Sequence, residues 1–154
     1  SENKNLPRMM SIQNPYNLTN RTYEIGLSEI SLRDKCGLLA YYPLATGYLT
    51  GKFRNNKMPK NSRHALFKGW ERFGNPKALK AYEEYFKLAK ETGLTPTQLA
   101  QAFVNSRPFV TSNIIGATTM AQLKENIDSI NVELSEEIIH KIDKIHNDHP
   151  NPSP

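Results

Sequence analysis

The stretch YYPLATGYLTGK, residues 41–52, has the composition of a loop that holds an anion. Its small residues would leave the backbone amides of Leu44 to Thr46 open to a ligand, and Lys52 adds a positive charge shortly after them. Backbone N–H groups and lysines are common phosphate-binding groups. Tyr41, which begins the stretch, offers a flat ring for stacking. The stretch therefore predicts a site for a phosphorylated ligand that also carries a ring.

Two other segments carry residues suited to the same ligand. Gln13 closes the apolar segment MMSI, and its side-chain amide can both donate and accept hydrogen bonds. Residues 116–119, GATT, lead into a helical pattern whose N-terminus would favour an anion. Each of these groups follows a predicted strand, and ligands of α/β folds bind where the strands end. We therefore expect all of them to meet at one end of a sheet.

Three apolar segments predict the strands that would position these groups: residues 9–15, 37–42 and 109–117. A helical pattern from about Asn20 separates the first two, with Gly37 as its left-handed stop. One face of this helix would carry Tyr23, Leu27, Ile30 and Ser31. This spacing is typical of a βαβ unit, so the strands should be parallel. The continuous apolar run GLLAYY further predicts a strand that is buried on both faces.

The rest of the chain predicts one long loop and four helices. Residues 53–76 lack periodicity, which indicates a functional or mobile loop. In the next segment, Leu79, Tyr82, Phe86 and Ala89 share a helical face, and Gly93 is the stop. Capping signals open the last three helices, namely Thr95 with Pro96 and Gln98, Thr119 with Gln122, and Ser135 ahead of an inward face of Ile138, Ile142 and Ile145. The final residues, NDHPNPSP, are predicted to be non-helical.

Composition excludes several classes of protein. The 154 residues are 38% hydrophobic and carry 20 Lys and Arg against 15 Asp and Glu, which suits an anionic ligand. The lysines are spread along helices rather than bunched, which argues against nucleic-acid binding. No apolar stretch approaches a membrane span, so a cytoplasmic location is the default expectation. Cys36 stands alone, so no internal disulfide is expected. The histidines have no metal-ligand spacing, namely His64, His140, His146 and His149.

Four motifs resemble, in order, the C-terminal half of aldo-keto reductases: SIQNPYNLTNRTYEIGL, LLAYYPLATGYLTGKF, NSRHALF and FVTSNIIGATTMAQLKENI. The similarity is to the bacterial branch that also resembles potassium-channel β subunits, and it covers almost the whole chain from Leu6. It implies an α/β fold, a partial (β/α)8 TIM barrel with about three parallel strands and flanking helices. Residues 1–8 would be a lead-in, residues 9–146 the C-terminal half of the barrel, and residues 147–154 a Pro-rich tail.

The resemblance also implies an NADP(H) site. Gln13 would hold the nicotinamide carboxamide, and Tyr41 would stack on the nicotinamide ring. The pyrophosphate would lie on a loop assisted by Lys52, namely Tyr42, Pro43, Leu44, Ala45 and Thr46. Arg63 would contact the adenine or its ribose phosphate, and Gly116 and Thr118 would approach the adenosine phosphate. The adenine edge would be held by residues that share one helix face, namely Gln122, Glu125 and Asn126.

The chain departs from the family pattern at three of these positions. Tyr42 stands where the family often has a small hydroxyl residue, and Ala45 where glycine is common. Gly116 replaces a cation that some relatives use for the 2′-phosphate, so a preference for NADPH over NADH would rest on Arg63 and Lys52. Plainer roles stay open: Tyr42 as a core aromatic, Lys52 and Arg63 as surface charges, and Thr119 as a helix cap.

The activity implied is hydride transfer between NADPH and a carbonyl. The family's catalytic Asp, Tyr, Lys and His belong to the first four barrel strands, and no DTAxxYG-like segment occurs in this sequence. The chain alone is therefore expected to be inactive. The expected partner is an N-terminal barrel half or a second copy of the chain, with a small carbonyl substrate only in a completed barrel. The alternative is a non-catalytic half-barrel that binds nucleotide or another protein.

Overall fold

The computed structural model describes residues 4–67 and 69–154, and residues 1–3 of the predicted lead-in lie outside it. Three strands form one sheet in the order β1-β2-β3: β1 is Ser11–Pro15, β2 is Gly37–Tyr41 and β3 is Val110–Asn113. Both strand pairs are parallel, which confirms the prediction. The chain thus forms the partial α/β barrel expected from its sequence, although β3 is shorter than residues 109–117.

Six α-helices flank the sheet: α1 (Leu27–Asp34), α2 (Arg63–Leu66), α3 (Pro76–Glu91), α4 (Pro96–Asn105), α5 (Met120–Asp128) and α6 (Glu136–Asp148). Short 3-10 turns lie between them, at Thr22–Ile25, Ala45–Thr50, Arg54–Asn56, Glu71–Gly74 and Ser129–Asn131. The long segment predicted as an aperiodic loop therefore contains α2 and two of these turns. Helical hydrogen bonds satisfy much of its backbone without the periodic apolar face that would have revealed it in the sequence.

Only one face of the sheet is covered by the described residues. Leu38 and Ala40 of β2 are fully buried, whereas Leu39 and Tyr41 are half-buried and Gln13 of β1 is exposed. Successive side chains of a strand point to opposite faces, so this alternation marks one packed and one open face. The prediction that β2 is buried on both faces is therefore wrong for the part of the chain described.

Aromatic side chains fill the space between the packed face and the helices. Tyr16, just after β1, stacks on Phe103 of α4 with ring centroids 5.7 Å apart, and it meets Phe109 edge to face at 5.3 Å. The hydroxyl of Tyr85 in α3 donates to the Leu18 carbonyl at 2.9 Å. These rings bury large apolar areas while their polar ends stay bonded, so they fix the loop after β1 against α3 and α4.

The helix predicted between β1 and β2 differs from expectation. Gly26, at φ +156°, interrupts it, and Lys35, at φ +52°, makes the left-handed stop. Gly37 instead begins β2, so its predicted role as the helix stop is wrong. Leu27 and Ile30 are also not on a core face, because they are 41% and 54% exposed.

The predicted capping residues are found at all three helices. At α4, the Thr95 hydroxyl accepts from the Gln98 N–H at 3.1 Å, and Gln98 Oε1 accepts from the Thr95 N–H at 2.9 Å, which completes the capping box. Ser135 caps α6 through the N–H of Ile138 at 3.3 Å. Capping motifs depend on contacts three residues apart, so sequence alone suffices to find them.

Two other expectations about helices need correction. Leu79 of α3 is 41% exposed, although its predicted neighbours Tyr82, Phe86 and Ala89 are buried. Helix α6 continues to Asp148, so the first residues of the tail, 147–148, are helical after all. The His149 N–H still donates to the Ile145 carbonyl at 3.0 Å, and Pro150 cannot continue that pattern.

Candidate functional site

Gln13 and Tyr41 lie on the open face of the sheet, near the end where the strands finish. The register places Gln13 beside Leu39, and Tyr41 is two residues beyond Leu39 on the same strand. Because strand side chains alternate, Gln13 and Tyr41 point to the same face. The structure therefore brings together the two residues that the resemblance assigns to the nicotinamide end of a cofactor.

The loop after β2 is a tight turn with unusual backbone angles. Tyr42, Ala45 and Thr46 have φ values of +59°, +46° and +56°, and Gly47 follows at +104°. Positive φ is unfavourable for residues with a Cβ, and such strain concentrates at functional sites. The Asn17 side chain supports the turn, because its Nδ2 donates to the Tyr42 carbonyl at 2.9 Å.

The backbone amides of this turn are less open than the sequence suggested. The Ala45 N–H donates to the Tyr42 carbonyl at 2.8 Å, and Ala45 is fully buried. The prediction that the amides from Leu44 to Thr46 face a ligand is therefore wrong for Ala45. Pro43 is also buried, whereas Leu44 and Thr46 are half-buried.

Lys52 crosses over the glycine of this turn. A Cβ placed on Gly47 would lie 2.7 Å from Lys52 Nζ and 2.6 Å from its Cε, so a larger residue there would displace the end of the lysine side chain. Burial, followed by the charge of Arg63, lowers the pKa of Lys52. Since both cations act on each other, the turn already carries a concentrated positive charge.

Helix α2 brings Arg63 and His64 to the same turn. His64 Nε2 lies 2.8 Å from the Thr46 hydroxyl, and the guanidinium carbon of Arg63 lies 5.4 Å from the centre of the Trp70 ring. In the sequence, His64 stands out only as a candidate metal ligand, and no pattern singles out Trp70. The one signal in the sequence was that His64 directly follows Arg63 in the motif NSRHALF.

The loop after β3 carries the remaining predicted residues. Gly116 is exposed, and a Cβ there would meet no atom within 4 Å. The Thr118 N–H donates to Gln122 Oε1 at 2.9 Å, and the Thr119 hydroxyl accepts from the Gln122 N–H at 3.2 Å. The predicted capping box at Thr119 is thus changed, because the Gln122 side chain reaches one residue further back. A phosphate would have to compete with Gln122 for the Thr118 amide.

Glu125 and Asn126, predicted to hold an adenine edge, have partners within the chain. Glu125 Oε1 accepts from the Thr95 hydroxyl at 2.6 Å. Asn126 is 6% exposed, and its Oδ1 accepts from Gln101 Nε2 at 3.2 Å while its Nδ2 donates to the Gly116 carbonyl at 3.3 Å. In this structure Asn126 therefore fixes the loop after β3 against α4.

A buried network of amides extends this connection to the sheet. Asn113, at the end of β3, donates through Nδ2 to Gln101 Oε1 at 2.7 Å and to Asn105 Oδ1 at 2.9 Å. Because the strands are parallel neighbours, this end of β3 lies at the same edge of the sheet as the turn after β2. The network therefore fixes the end of β3 and the loop after it against α4.

Residues 4–67 and 69–154 contain neither a cluster of metal ligands nor a helix that could span a membrane. Within those ranges, no group of three or more His, Cys, Asp or Glu side chains could hold a metal ion. No helix in the same ranges has the length and apolar character needed to cross a bilayer.

Comparison with known sequences places the chain among the reductases that its motifs resemble. A sequence profile described as the aldo/keto reductase family matches residues 2–147. The Tas protein of Escherichia coli is 44% identical over 154 residues, which is all of this chain and 44% of Tas. A probable voltage-gated potassium channel subunit beta of Arabidopsis thaliana is 35% identical over 115 residues, covering 71% of this chain and 35% of that protein.

A solved structure agrees with these relatives. The glycerol dehydrogenase of Gluconobacter oxydans aligns with a TM-score of 0.72 at 29% identity, over 92% of this chain and 43% of that protein. The present chain therefore spans less than half the length of the relatives it matches. The profile, the sequence relatives and the fold agree, and the chain belongs to the aldo/keto reductase family.

Proposed function

We propose that this chain is the NADP(H)-binding portion of an aldo-keto reductase-type oxidoreductase that transfers a hydride between NADPH and a carbonyl. One observation carries the proposal. The glycine turn after β2, crossed by Lys52 and bonded to α2 through Thr46, lies at the strand end where Tyr41 and Gln13 share an open face. Cations at a strained turn suit phosphates, and a flat ring beside an amide suits nicotinamide.

Each residue has one task in this proposal. Tyr41 stacks on the nicotinamide ring, and Gln13 bonds its carboxamide. Lys52 and Arg63 neutralise the phosphates, and Arg63 is exposed beside the Trp70 ring, where an adenosine phosphate could be reached. When bound, the cofactor supplies the hydride, while the chain's residues bind and orient it.

The acid that protonates the carbonyl oxygen is assigned to the part of the barrel that the relatives have and this chain does not span. We expect no carbonyl-dependent oxidation of NADPH by this chain alone. The catalytic tyrosine and the lysine that activates it are assigned to the part of the barrel that this chain does not span. An assay with small aldehydes and ketones tests this expectation, and turnover by the isolated chain would contradict it.

A partner is part of the proposal because the sheet is open on one face and at both edges within the described residues. The partner we propose is an N-terminal barrel half, and a second copy of the chain takes its place when that half is not supplied.

An alternative function is a non-catalytic half-barrel that binds nucleotide or protein. It is supported by the hydrogen-bond partners that Thr118, Glu125 and Asn126 already have within the chain. A half-barrel whose adenine-binding groups are occupied would bind nucleotide weakly.

Titration with NADPH separates these functions. We expect the fluorescence of Trp70, the one tryptophan of the chain, to fall saturably as NADPH binds beside Arg63. Calorimetry should show that Lys52→Ala and Arg63→Ala each bind NADPH about tenfold more weakly, since each loses a charge-assisted contact of roughly 1.4 kcal/mol. Lys90→Ala, which removes an exposed lysine of α3, is the matched control and should bind normally.

Unchanged affinity in both Lys52→Ala and Arg63→Ala would contradict the assignment of the phosphate site. Failure of the unmodified chain to bind at millimolar NADPH would favour the non-catalytic alternative. Adding the N-terminal half of a related reductase then tests the proposed partner. If this half restores NADPH binding, the cofactor site forms only when the open face of the sheet is covered.

A further inference from the structure

His64 is held rigidly beside the cation-bearing turn. Its ring meets Tyr48 and Phe53 edge to face, with centroids 4.9 Å and 4.8 Å away, and the Trp70 ring lies at 6.1 Å. Its Nε2 bonds to the Thr46 hydroxyl at 2.8 Å. His64 is half-buried, and its contacts with three rings and its bond to the turn restrict its orientation, so its ring lies against the turn.

The bond to Thr46 indicates which nitrogen of His64 carries the proton. The Thr46 hydroxyl donates its hydrogen to the Ala45 carbonyl at 2.7 Å, so its oxygen can only accept from His64. His64 Nε2 is therefore the protonated nitrogen, and Nδ1 keeps a lone pair. A further proton would go to Nδ1 and make the ring a cation without breaking the bond to Thr46.

The charges that face His64 come from three neighbouring segments. Lys52 follows the turn, Arg63 precedes His64 on α2, and the carboxylate of Glu71 lies in the next 3-10 turn. Burial, then Lys52, lowers the pKa of His64, and Arg63 acts in the same direction, while a hydrogen bond to the Thr46 backbone and the charge of Glu71 oppose the shift. Before any ligand binds, His64 is therefore neutral at neutral pH because of burial and two nearby cations.

We propose that His64 is a third phosphate-binding residue of this site, and that it takes a proton from solvent onto Nδ1 when the dianionic phosphate of a nucleotide binds beside Lys52 and Arg63. This inference rests on the proposed function and adds a proton to it. The step balances, because the solvent loses one proton, the ring gains one and no other bond changes. The phosphate offsets the two cations that kept the ring neutral.

The sign of the pH dependence follows directly. A bound dianion raises the pKa of His64 above its value in the free chain, so the complex holds more protons than the free chain between those two values. The affinity for NADPH should therefore rise as the pH falls from 8 until the phosphate itself begins to take up a proton, near its second pKa of about 6. NADH lacks the 2′-phosphate, so its affinity should depend less on pH.

Calorimetry in two buffers of different ionisation enthalpy counts the protons taken up with NADPH. We expect uptake of up to about one proton in the unmodified chain and clearly less in His64→Gln, whose amide can still donate to Thr46. At pH 6 the variant should bind NADPH roughly tenfold more weakly, and the two should converge near pH 8. His140→Gln, an exposed histidine of α6, is the matched control and should leave proton uptake unchanged.

The outcomes separate the inference from the function beneath it. NADPH binding with equal proton uptake in the unmodified chain and His64→Gln would overturn the role of His64 and leave the proposed function intact. Failure to bind NADPH both alone and with an added N-terminal half would overturn both. NMR titration of the His64 ring in the unmodified chain, with and without NADPH, gives the same answer without a variant, since the ring's pKa must rise when the nucleotide binds.

Discussion

Gly37 is a position that requires glycine, as the sequence predicted, but the reason differs from the predicted one. The sequence places it after a helical pattern, where a glycine normally provides a left-handed stop. In the structure, Lys35 makes that stop, and Gly37 lies in β2 opposite the side chain of Thr111. A Cβ on Gly37 would lie 1.7 Å from Thr111 Oγ1. The need for glycine thus comes from a strand far along the chain, which no local pattern reveals.

Gly37→Ala is therefore expected to destabilise the chain. The added methyl group cannot fit unless β2 and β3 move apart, and such overpacking lowers the free energy of unfolding by about 1–3 kcal/mol. Urea unfolding followed by circular dichroism measures this loss. Gly116→Ala is the control, because a Cβ there meets nothing within 4 Å and the φ of Gly116 is not positive. Equal stability of the two variants would show that β2 and β3 do not approach as closely as described.

The same limit applies to the candidate site. Loop composition singled out Thr46 and Lys52, and the resemblance singled out Arg63, and the structure brings these three residues to one turn. The bond from Thr46 to His64 was not predictable, because it depends on how α2 folds back onto the turn. Nor was the engaged amide of Ala45, because the turn's hydrogen bonding follows from its three-dimensional path.

Among the elements, helix ends were more predictable than helix faces. Caps at Thr95 and Ser135 are local hydrogen bonds, so the sequence located them. The helical pattern before β2 placed Ile30 on one face with Tyr23, yet Tyr23 is buried whereas Ile30 is 54% exposed. Periodicity indicates which side chains form an apolar helix face, but it does not identify the surface that buries that face. The partner surface for α1 is not found among residues 4–67 and 69–154.

Exposed apolar side chains lie on both sides of the sheet, beside the edge strands β1 and β3. Near β1 and α1 they are Met9, Met10, Ile25, Ile30 and Leu32, and on and just after α5 they are Met120, Ile127 and Ile130, all at least 52% exposed. Two such sets beside open strand edges favour association. They are the physical basis for the partner proposed above.

The chain alone is accordingly expected to self-associate with increasing concentration. Light scattering on a sizing column measures the effect, and the double variant Ile30→Lys with Ile130→Lys should raise the dissociation constant at least about tenfold, because each buried isoleucine contributes roughly 1.5–3 kcal/mol. Asn131→Lys adds the same charge beside Ile130 without removing an apolar group, so it is the control. A chain that stays monomeric at every concentration would contradict this expectation.

For the molecule as a whole, the last residues were the least well predicted. Residues 147–154 were expected to form a Pro-rich tail outside the barrel, but Ser153 is fully buried. The Ser153 N–H donates to the Thr19 carbonyl at 3.2 Å, and the Arg21 N–H donates to Asn151 Oδ1 at 2.6 Å. Asn75, the cap of α3, donates through Nδ2 to the Pro152 carbonyl at 2.8 Å. The tail therefore joins the loop after β1 to the start of α3.

Ion pairs of Arg21 stabilise the region where the tail packs against the loop after β1. Its guanidinium contacts Glu24 and Asp143, each at 2.7 Å, and Arg21 itself is 8% exposed. A buried arginine needs such partners, because an unpaired buried charge is strongly unfavourable. Glu24 lies three residues after Arg21, whereas Asp143 is 122 residues away, so the pair with Asp143 depends on the whole fold and leaves no local pattern in the sequence.

Deleting residues 150–154 should therefore lower the free energy of unfolding by several kcal/mol, because it exposes Thr19 and removes the backbone and side-chain bonds that the tail makes. The point variant Ser153→Ala should lose only about 1 kcal/mol, since the Ser153 hydroxyl shares one hydrogen bond with the Thr19 hydroxyl at 2.8 Å and a longer one with the Tyr82 hydroxyl at 3.5 Å. Pro154→Ala is the control, because Pro154 is exposed. Urea unfolding ranks the three variants. If the deletion variant were as stable as Pro154→Ala, the tail would have no part in holding the loop after β1 against α3. The turn that carries the candidate site would then have to be positioned by β2 and α2 alone.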